Sequence, residues 1–128
     1  MRARQQSESI DVFREAMIGL VRGDDPDLTA RQMSIFLLCY TTRGPHTVRG
    51  LAERLRVQKP AVVRAIDRLE SFDLARRQPD LQDRRSVLIA QTPIGRSFLR
   101  QIRGSLAAGA RSVAPVIDTA DGERITSH

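Results

Sequence analysis

The stretch of sequence that decides the fold is residues 47–95, which read TVRGLAERLRVQKPAVVRAIDRLESFDLARRQPDLQDRRSVLIAQTPIG. Apolar residues at helical spacing predict a short helix over 48–55 and a second helix over 59–72, with a tight turn between them. Pro60 suits the first turn of the second helix, where its missing N–H costs nothing. The pattern therefore predicts a helix-turn-helix.

The second helix is followed by residues that favour a hairpin and then another helix. Two short strands are expected near 74–78 and 86–91, with a polar, basic loop between them. Thr92 is a good N-cap and Pro93 suits position N1, so a helix should run from 93 to about 112. This order of elements predicts a winged helix-turn-helix, a mainly α fold with a small β wing.

Two further helices are expected upstream. Residues 7–22 carry Ile10, Phe13 and Met17 on one face. Thr29 and Gln32 have the spacing of a capping box, which predicts the start of a helix over about 30–42. That helix is apolar almost all round, so it should lie at the centre of the domain. A length of 128 residues predicts one domain.

The positive charge is concentrated in the predicted winged helix. Residues 47–96 hold 11 Lys or Arg and 6 Asp or Glu, a net charge of +5, whereas the whole chain carries +6. A local excess of this kind indicates a polyanionic partner, most often nucleic acid.

Composition also argues against several classes of protein. The single cysteine fits a reducing compartment, and neither a signal peptide nor a long apolar run is seen, so cytoplasmic residence is expected. His46 and His128 are the only histidines, too few for a metal site with one cysteine. No catalytic triad, phosphate loop or carboxylate pair stands out, so we expect neither an enzyme nor a cofactor.

The chain resembles the MarR family of bacterial transcription regulators over about residues 29–106. The residues that carry this resemblance keep a characteristic order and spacing. They are Leu28-Thr29, Leu69-Glu70 at the end of the second helix, Leu74 to Arg77 entering the wing, Asp83-Arg84-Arg85, and Thr92-Pro93-x-Gly95.

The resemblance implies a homodimer held by the terminal helices, here 7–22 and 93–112, with the winged helix of residues 29–92 between them. Each subunit would offer one winged helix to double-stranded DNA, and two subunits would read a pseudo-palindromic operator. Asp73 stands where the family usually has glycine, so it should adopt a left-handed conformation. Gln58 replaces the usual serine N-cap and should cap the second helix poorly.

The predicted recognition helix presents several candidate DNA contacts. Arg64 can pair with guanine through two hydrogen bonds, and Lys59 and Arg68 can reach phosphates. Ala61 and Val63 can touch a thymine methyl group. The alternative is a solvated helix face on which Arg64 and Arg68 pair with acidic neighbours.

The predicted wing adds Asp83, Arg84 and Arg85. Arg85 is the candidate for insertion into a narrow minor groove, with Asp83 holding its guanidinium by a charge-assisted hydrogen bond. Arg84 should meet phosphate. The alternative is an ordinary surface turn whose Asp–Arg pair contributes less than about 1 kcal/mol.

The resemblance further implies a repressor that a small-molecule effector releases from DNA. Phe13, Met17, Phe36 and Tyr40 would line the effector pocket, although the same residues could simply form core. Cys39 lies in the most apolar helix, which favours core packing over a role as a thiol-based redox sensor. The remaining alternative is a winged-helix protein–protein interaction module that does not read DNA.

Overall fold

The computed structural model of the chain describes residues 2–113. Within that range it contains five helices and one two-stranded antiparallel sheet, as expected for a winged helix. The elements in chain order are α1 (Arg2–Arg22), α2 (Ala30–Thr41), α3 (Val48–Leu55), α4 (Lys59–Ser71), β1 (Arg76–Pro79), β2 (Val87–Ala90) and α5 (Pro93–Ser112). None of these helices combines the length and apolar character needed to cross a membrane.

The described chain forms two compact units. One comprises the residues up to Gly23 and those from Ile102 onward, and the other comprises Asp24–Gln101. The second unit holds the helix-turn-helix and the hairpin, and it is the winged-helix unit below. The first unit holds α1 and the C-terminal half of α5, and it is the terminal-helix unit below.

The helix boundaries follow the predicted signals closely. The capping box of α2 is present, with Thr29 accepting the Gln32 N–H and the Gln32 side chain accepting the Thr29 N–H. Helix α4 starts without a side-chain cap from Gln58, also as expected. Asp73 adopts the predicted left-handed conformation with φ of 57°. The one clear difference is α1, which begins at Arg2 rather than at residue 7.

The core of the winged-helix unit lies between α2, α3 and α4. Ile35 and Phe36 of α2 are completely buried, which confirms the central position predicted for that helix. Val62, Ile66 and Leu69 of α4 are completely buried as well, at the helical spacing seen in the sequence. Burial of one such side chain contributes roughly 1.5–3 kcal/mol, so this stripe fixes the rotation of α4 about its axis.

The hairpin is tied to the start of α3. Its strands pair from Arg76 with Ala90 to Pro79 with Val87. The chain just before α3 extends this sheet by one bridge, Thr47 with Leu88, and the N–H of Ile89 donates to the His46 oxygen at 2.9 Å. The wing therefore has a fixed position beside the N-terminus of α3.

In the terminal-helix unit, α1 and α5 cross at close range. A Cβ atom added to Gly109 would lie 2.9 Å from the main-chain oxygen of Val12, so glycine is what permits the close approach. Ala16 is buried, with 3% of its surface exposed. Several large apolar side chains of α1 are exposed, namely Ile10, Phe13, Met17, Ile18 and Val21.

Candidate nucleic-acid interface

The outer face of α4 presents basic side chains. Lys59, Arg64 and Arg68 are exposed, because the buried stripe of the helix turns them away from the core. The guanidinium of Arg68 lies 4.6 Å from the centre of the Phe72 ring, a cation–π contact that holds this side chain along the C-terminal half of the helix. Of the three, only Arg68 makes such a contact among the described residues.

Ala61 departs from its predicted role at the DNA surface. Its exposed fraction is 9%, and its methyl group faces the core rather than the outer face of α4. The sequence held the signal for this, because Ala61 precedes Ala65 by four residues and so shares its face. Val63 is 37% exposed and remains available for an apolar contact with a base.

The acidic residues of α4 do not pair with Arg64 or Arg68. Asp67 and Glu70 instead receive the guanidinium of Arg77, which reaches them from β1. Within residues 2–113, no carboxylate lies within 4 Å of the Arg64 guanidinium. The charge of Arg64 is therefore not neutralised by a described neighbour, so the pairing in the alternative interpretation is absent among the described residues.

The tip of the wing is shaped by Asp83. One oxygen of its carboxylate accepts the main-chain N–H of Arg85 at 3.1 Å, and the other accepts the hydroxyl of Ser86 at 3.3 Å. The Nε atom of Arg85 lies 3.6 Å from the Asp83 carboxylate, beyond hydrogen-bond distance. The predicted hydrogen bond to the guanidinium is thus absent, and the two groups form a longer ion pair. Asp83 orders the backbone that carries Arg85.

Arg84 and Arg85 project from this turn. The side chain of Arg85 is 94% exposed, and Arg84 is exposed as well. The turn beneath Arg85 is hydrogen-bonded, and the one ion pair described for its guanidinium is the exposed contact with Asp83, which contributes less than about 1 kcal/mol. The wing tip also carries Leu81, an apolar side chain that is 92% exposed.

An open groove of about 460 Å³ lies between the helix-turn-helix and the wing. Three elements contribute to it: the start of α3, the first residue of α4 and the hairpin. Arg49, Lys59 and Arg85 bring positive charge, and Asp83 is its one carboxylate. The remaining lining residues are Thr47, Val48, Ser86 and Val87. Three cations around one open groove suit a polyanionic strand.

Residues 28–87, which include the helix-turn-helix and most of the wing, match the family model described as MarR family. They form a MarR family domain. Comparison with curated protein sequences gave no match.

Solved structures with the same fold come from several organisms. Regulator Tm0710 from Thermotoga maritima is 22% identical, with a TM-score of 0.72 over 88% of this chain and 79% of that one. A mutant of MepR from S. aureus bound to an oligodeoxyribonucleotide is 21% identical, with a TM-score of 0.71 over 84% and 77% of the two chains. CouR from Rhodococcus jostii RHA1, bound to p-coumaroyl-CoA, is 26% identical, with a TM-score of 0.60 over 80% and 69%.

The four residues predicted to line an effector pocket differ in burial. Phe36 and Tyr40 lie in the core of the MarR family domain, where their rings stack with centroids 4.4 Å apart. The Tyr40 hydroxyl is fully engaged, donating to the Leu74 oxygen and accepting the Thr92 N–H. Phe13 and Met17 lie on α1 and are 55% and 42% exposed. The effector pocket stays a prediction.

Cys39 is part of the same core. It is 6% exposed, and burial raises the pKa of its thiol to about 12, because the apolar surroundings disfavour the thiolate. Since the thiolate is the reactive form, this environment favours core packing over redox sensing. Cys39 is part of neither the outer face of α4 nor the groove beside the wing.

Proposed function

We propose that this protein is a sequence-specific regulator of transcription that binds double-stranded DNA through its MarR family domain. The observation that carries the proposal is the pair of solvated arginines on two adjoining elements. Arg64 stands on the outer face of α4, with no described carboxylate partner, and Arg85 stands at the tip of the wing. A recognition helix in the major groove and a wing in the minor groove would use these two side chains.

In this proposal, the groove between α3, α4 and the wing holds the DNA backbone. A phosphodiester strand running between the major and minor grooves would pass through it, facing Arg49, Lys59 and Arg85. Contacts of this kind act on any sequence, and they orient the protein on the duplex. Arg64 would then supply discrimination at one guanine, which is worth roughly 1–3 kcal/mol against the wrong base.

A protein–protein module is the less favoured function. Such a module has no need for solvated cations at both the recognition helix and the wing, and their presence here favours a polyanion. The structure of a MepR mutant with an oligodeoxyribonucleotide shows that a protein of this fold binds DNA. That example supports the proposal for the present chain.

The protein acts as a homodimer in this model. Exposed Ile10, Phe13, Met17, Ile18 and Val21 form an apolar stripe on α1, a surface that stays in water unless a partner covers it. A second copy of the chain would bury this stripe and give two recognition helices about one DNA turn, roughly 34 Å, apart. Such a dimer requires a pseudo-palindromic operator.

We further propose that the dimer is a repressor released by a small molecule. CouR bound to p-coumaroyl-CoA is an example of a protein of this fold that holds a small ligand. A ligand that binds better to the conformation unable to dock on DNA would shift the population away from the operator. Which of Phe13, Met17, Phe36 and Tyr40 contact such a ligand is part of the same proposal.

Selection of bound sites from random duplex DNA tests the central claim. The purified full chain should enrich a pseudo-palindromic sequence, and the affinity for it should fall steeply as salt rises. A scrambled duplex of equal length is the control and should bind more weakly. Failure to retain any duplex even at low salt, with a folded protein, would overturn the proposed function.

A further inference from the structure

Arg77 of β1 connects the wing to the recognition helix. Its Nη2 atom donates to a carboxylate oxygen of Asp67 at 2.7 Å, and its Nη1 atom donates to Glu70. The main-chain N–H of Arg77 donates to the other Glu70 oxygen at 2.8 Å. Nη2 also lies 3.4 Å from the main-chain oxygen of Val63. Three groups of one residue thus bind Val63, Asp67 and Glu70, which lie on successive turns of α4.

The geometry of both elements explains why these groups meet. Arg77 pairs with Ile89 across the hairpin, and directly paired residues point to the same face of a sheet. Ile89 is 7% exposed, so that face is the inner one, which packs against the helices. Asp67 and Glu70 are three residues apart and share one face of α4. Only 29% of the Arg77 side chain is exposed.

We propose that Arg77 is a positioning residue for DNA binding, an inference that rests on the proposed function. Arg77 docks the wing on the recognition helix through Asp67 and Glu70. Because β1 pairs with β2 along its whole length, holding Arg77 holds the hairpin that carries Arg85. The orientation of the wing relative to Arg64 is then fixed before DNA arrives, which reduces the entropy lost on binding.

The same contact controls charge on the DNA-facing helix. Asp67 is 61% exposed, and an uncompensated carboxylate there would repel phosphates. The guanidinium of Arg77 neutralises part of this charge and is itself occupied by the two carboxylates. Arg77 therefore acts through α4 and does not contact phosphate. The competing model is that Arg77 leaves these carboxylates and binds a phosphate directly.

A double-mutant cycle separates the two models. Affinity for the selected duplex is measured for wild type, Arg77→Gln, Glu70→Gln and the double variant. If Arg77 acts through Glu70, then Arg77→Gln should cost much less affinity in the Glu70→Gln background than in the wild type. The fold loss of affinity should be smaller by a factor of roughly 3 to 100. If Arg77 contacts phosphate, Arg77→Gln lowers affinity equally in both backgrounds, and the proposal is wrong.

The variant Arg77→Lys is an independent way to distinguish docking on α4 from direct contact with phosphate. Lysine keeps the charge needed for a phosphate, but its single ammonium cannot bridge two carboxylates as the guanidinium fork does. We expect Arg77→Lys to bind the selected duplex nearly as poorly as Arg77→Gln. Affinity close to that of wild type would overturn the proposal.

A readout without DNA keeps this inference separate from the proposed function. Hydrogen exchange of the hairpin amides in the free protein should be faster in Arg77→Gln and in Glu70→Gln than in the wild type. In the double variant it should be no faster than in whichever single variant exchanges faster. Ile35→Val in the core is the control for a general loss of stability, and it should leave duplex affinity unchanged. Unchanged exchange in both single variants would contradict docking even if the wild type binds DNA well.

Discussion

The hydroxyl of Tyr40 donates a hydrogen bond to the main-chain oxygen of Leu74, 2.7 Å away and 34 residues along the chain. The same hydroxyl accepts the N–H of Thr92 at 2.9 Å, just before α5 begins. The hydroxyl of Thr92 donates to the Asp73 oxygen at 2.6 Å and accepts the N–H of Gly95 at 2.8 Å. Two buried hydroxyls thus join α2, the end of α4 and the start of α5.

Tyr40→Phe should therefore destabilise the fold. The substitution leaves the Thr92 N–H and the Leu74 oxygen without their buried partner, at an expected cost of about 1–3 kcal/mol in free energy of unfolding. Urea denaturation measures it. Thr41→Ala is the control, because its exposed hydroxyl bonds only within α2, and it should change stability by less than about 0.5 kcal/mol. Equal stabilities for the two variants would contradict this account.

Gly95→Ala should destabilise the protein, although alanine has the higher helix propensity. A Cβ at this position would overlap the Tyr40 hydroxyl and lie 2.7 Å from the Leu74 oxygen. Gly104→Ala is a matched control in the same helix, since a Cβ there has no neighbour within 4 Å. We expect that control to stabilise the protein by about 0.5–1 kcal/mol. Thermal unfolding of the two variants should move in opposite directions.

Cys39 should react slowly in the folded protein. Burial raises the pKa of its thiol to about 12, so little thiolate exists near neutral pH. The unfolded chain loses this proton at lower pH than the folded chain, so stability should fall as the pH rises above about 8.5. Labelling with a thiol reagent should be slow in buffer and fast in urea. Rapid labelling of folded protein at neutral pH would revive the redox-sensor alternative.

The elements of this fold could be read from the sequence because each has local signals. The buried stripe of α4, the capping box at Thr29 and the Thr92-Pro93-x-Gly95 exit each depend on residues within a few positions of one another. Arg77 could not be assigned in this way. Which of Arg76 and Arg77 faces α4 depends on hairpin register, and that register is set by burial of Ile89 across the sheet.

The candidate site was predictable in its charges and less so in its contacts. Arg64 and Arg85 are solvated as expected, because helix phase and the wing turn are local properties. The role of Asp83 differed, since its carboxylate can bond either the turn backbone or the guanidinium, and sequence spacing allows both. Here the backbone contact is a hydrogen bond of 3.1 Å, and the guanidinium forms only a longer ion pair of 3.6 Å.

Phe13→Glu should weaken the proposed dimer. The side chain lies in the exposed apolar stripe of α1, and a carboxylate there would be buried without a partner when two copies associate. Sedimentation should show a dimer for wild type at micromolar concentration and a monomer for the variant. Gln5→Glu adds the same charge to the same helix, at an exposed position that is neither three nor four residues from a stripe residue, and should remain dimeric. A wild-type monomer would contradict the proposed assembly.

Arg85→Ala and Arg64→Ala should affect DNA binding in different ways. Loss of Arg85 removes a charge that acts on any duplex, so affinity should fall for specific and scrambled DNA, and the salt slope should decrease by about one. Loss of Arg64 should cost about 1–3 kcal/mol at the preferred site and relax selectivity at one base pair. Both side chains are exposed, so both variants should keep the stability of wild type.

Titration of both variants against the selected and scrambled duplexes, over a series of salt concentrations, measures this contrast. The ratio of specific to scrambled affinity should fall for Arg64→Ala and change much less for Arg85→Ala, because only a contact with a base edge carries sequence information. Arg31→Ala, an exposed arginine at the start of α2 and outside the proposed surface, controls for net charge. If Arg31→Ala lowers affinity as much as Arg85→Ala does, general electrostatic attraction explains binding and the wing has no specific part in it.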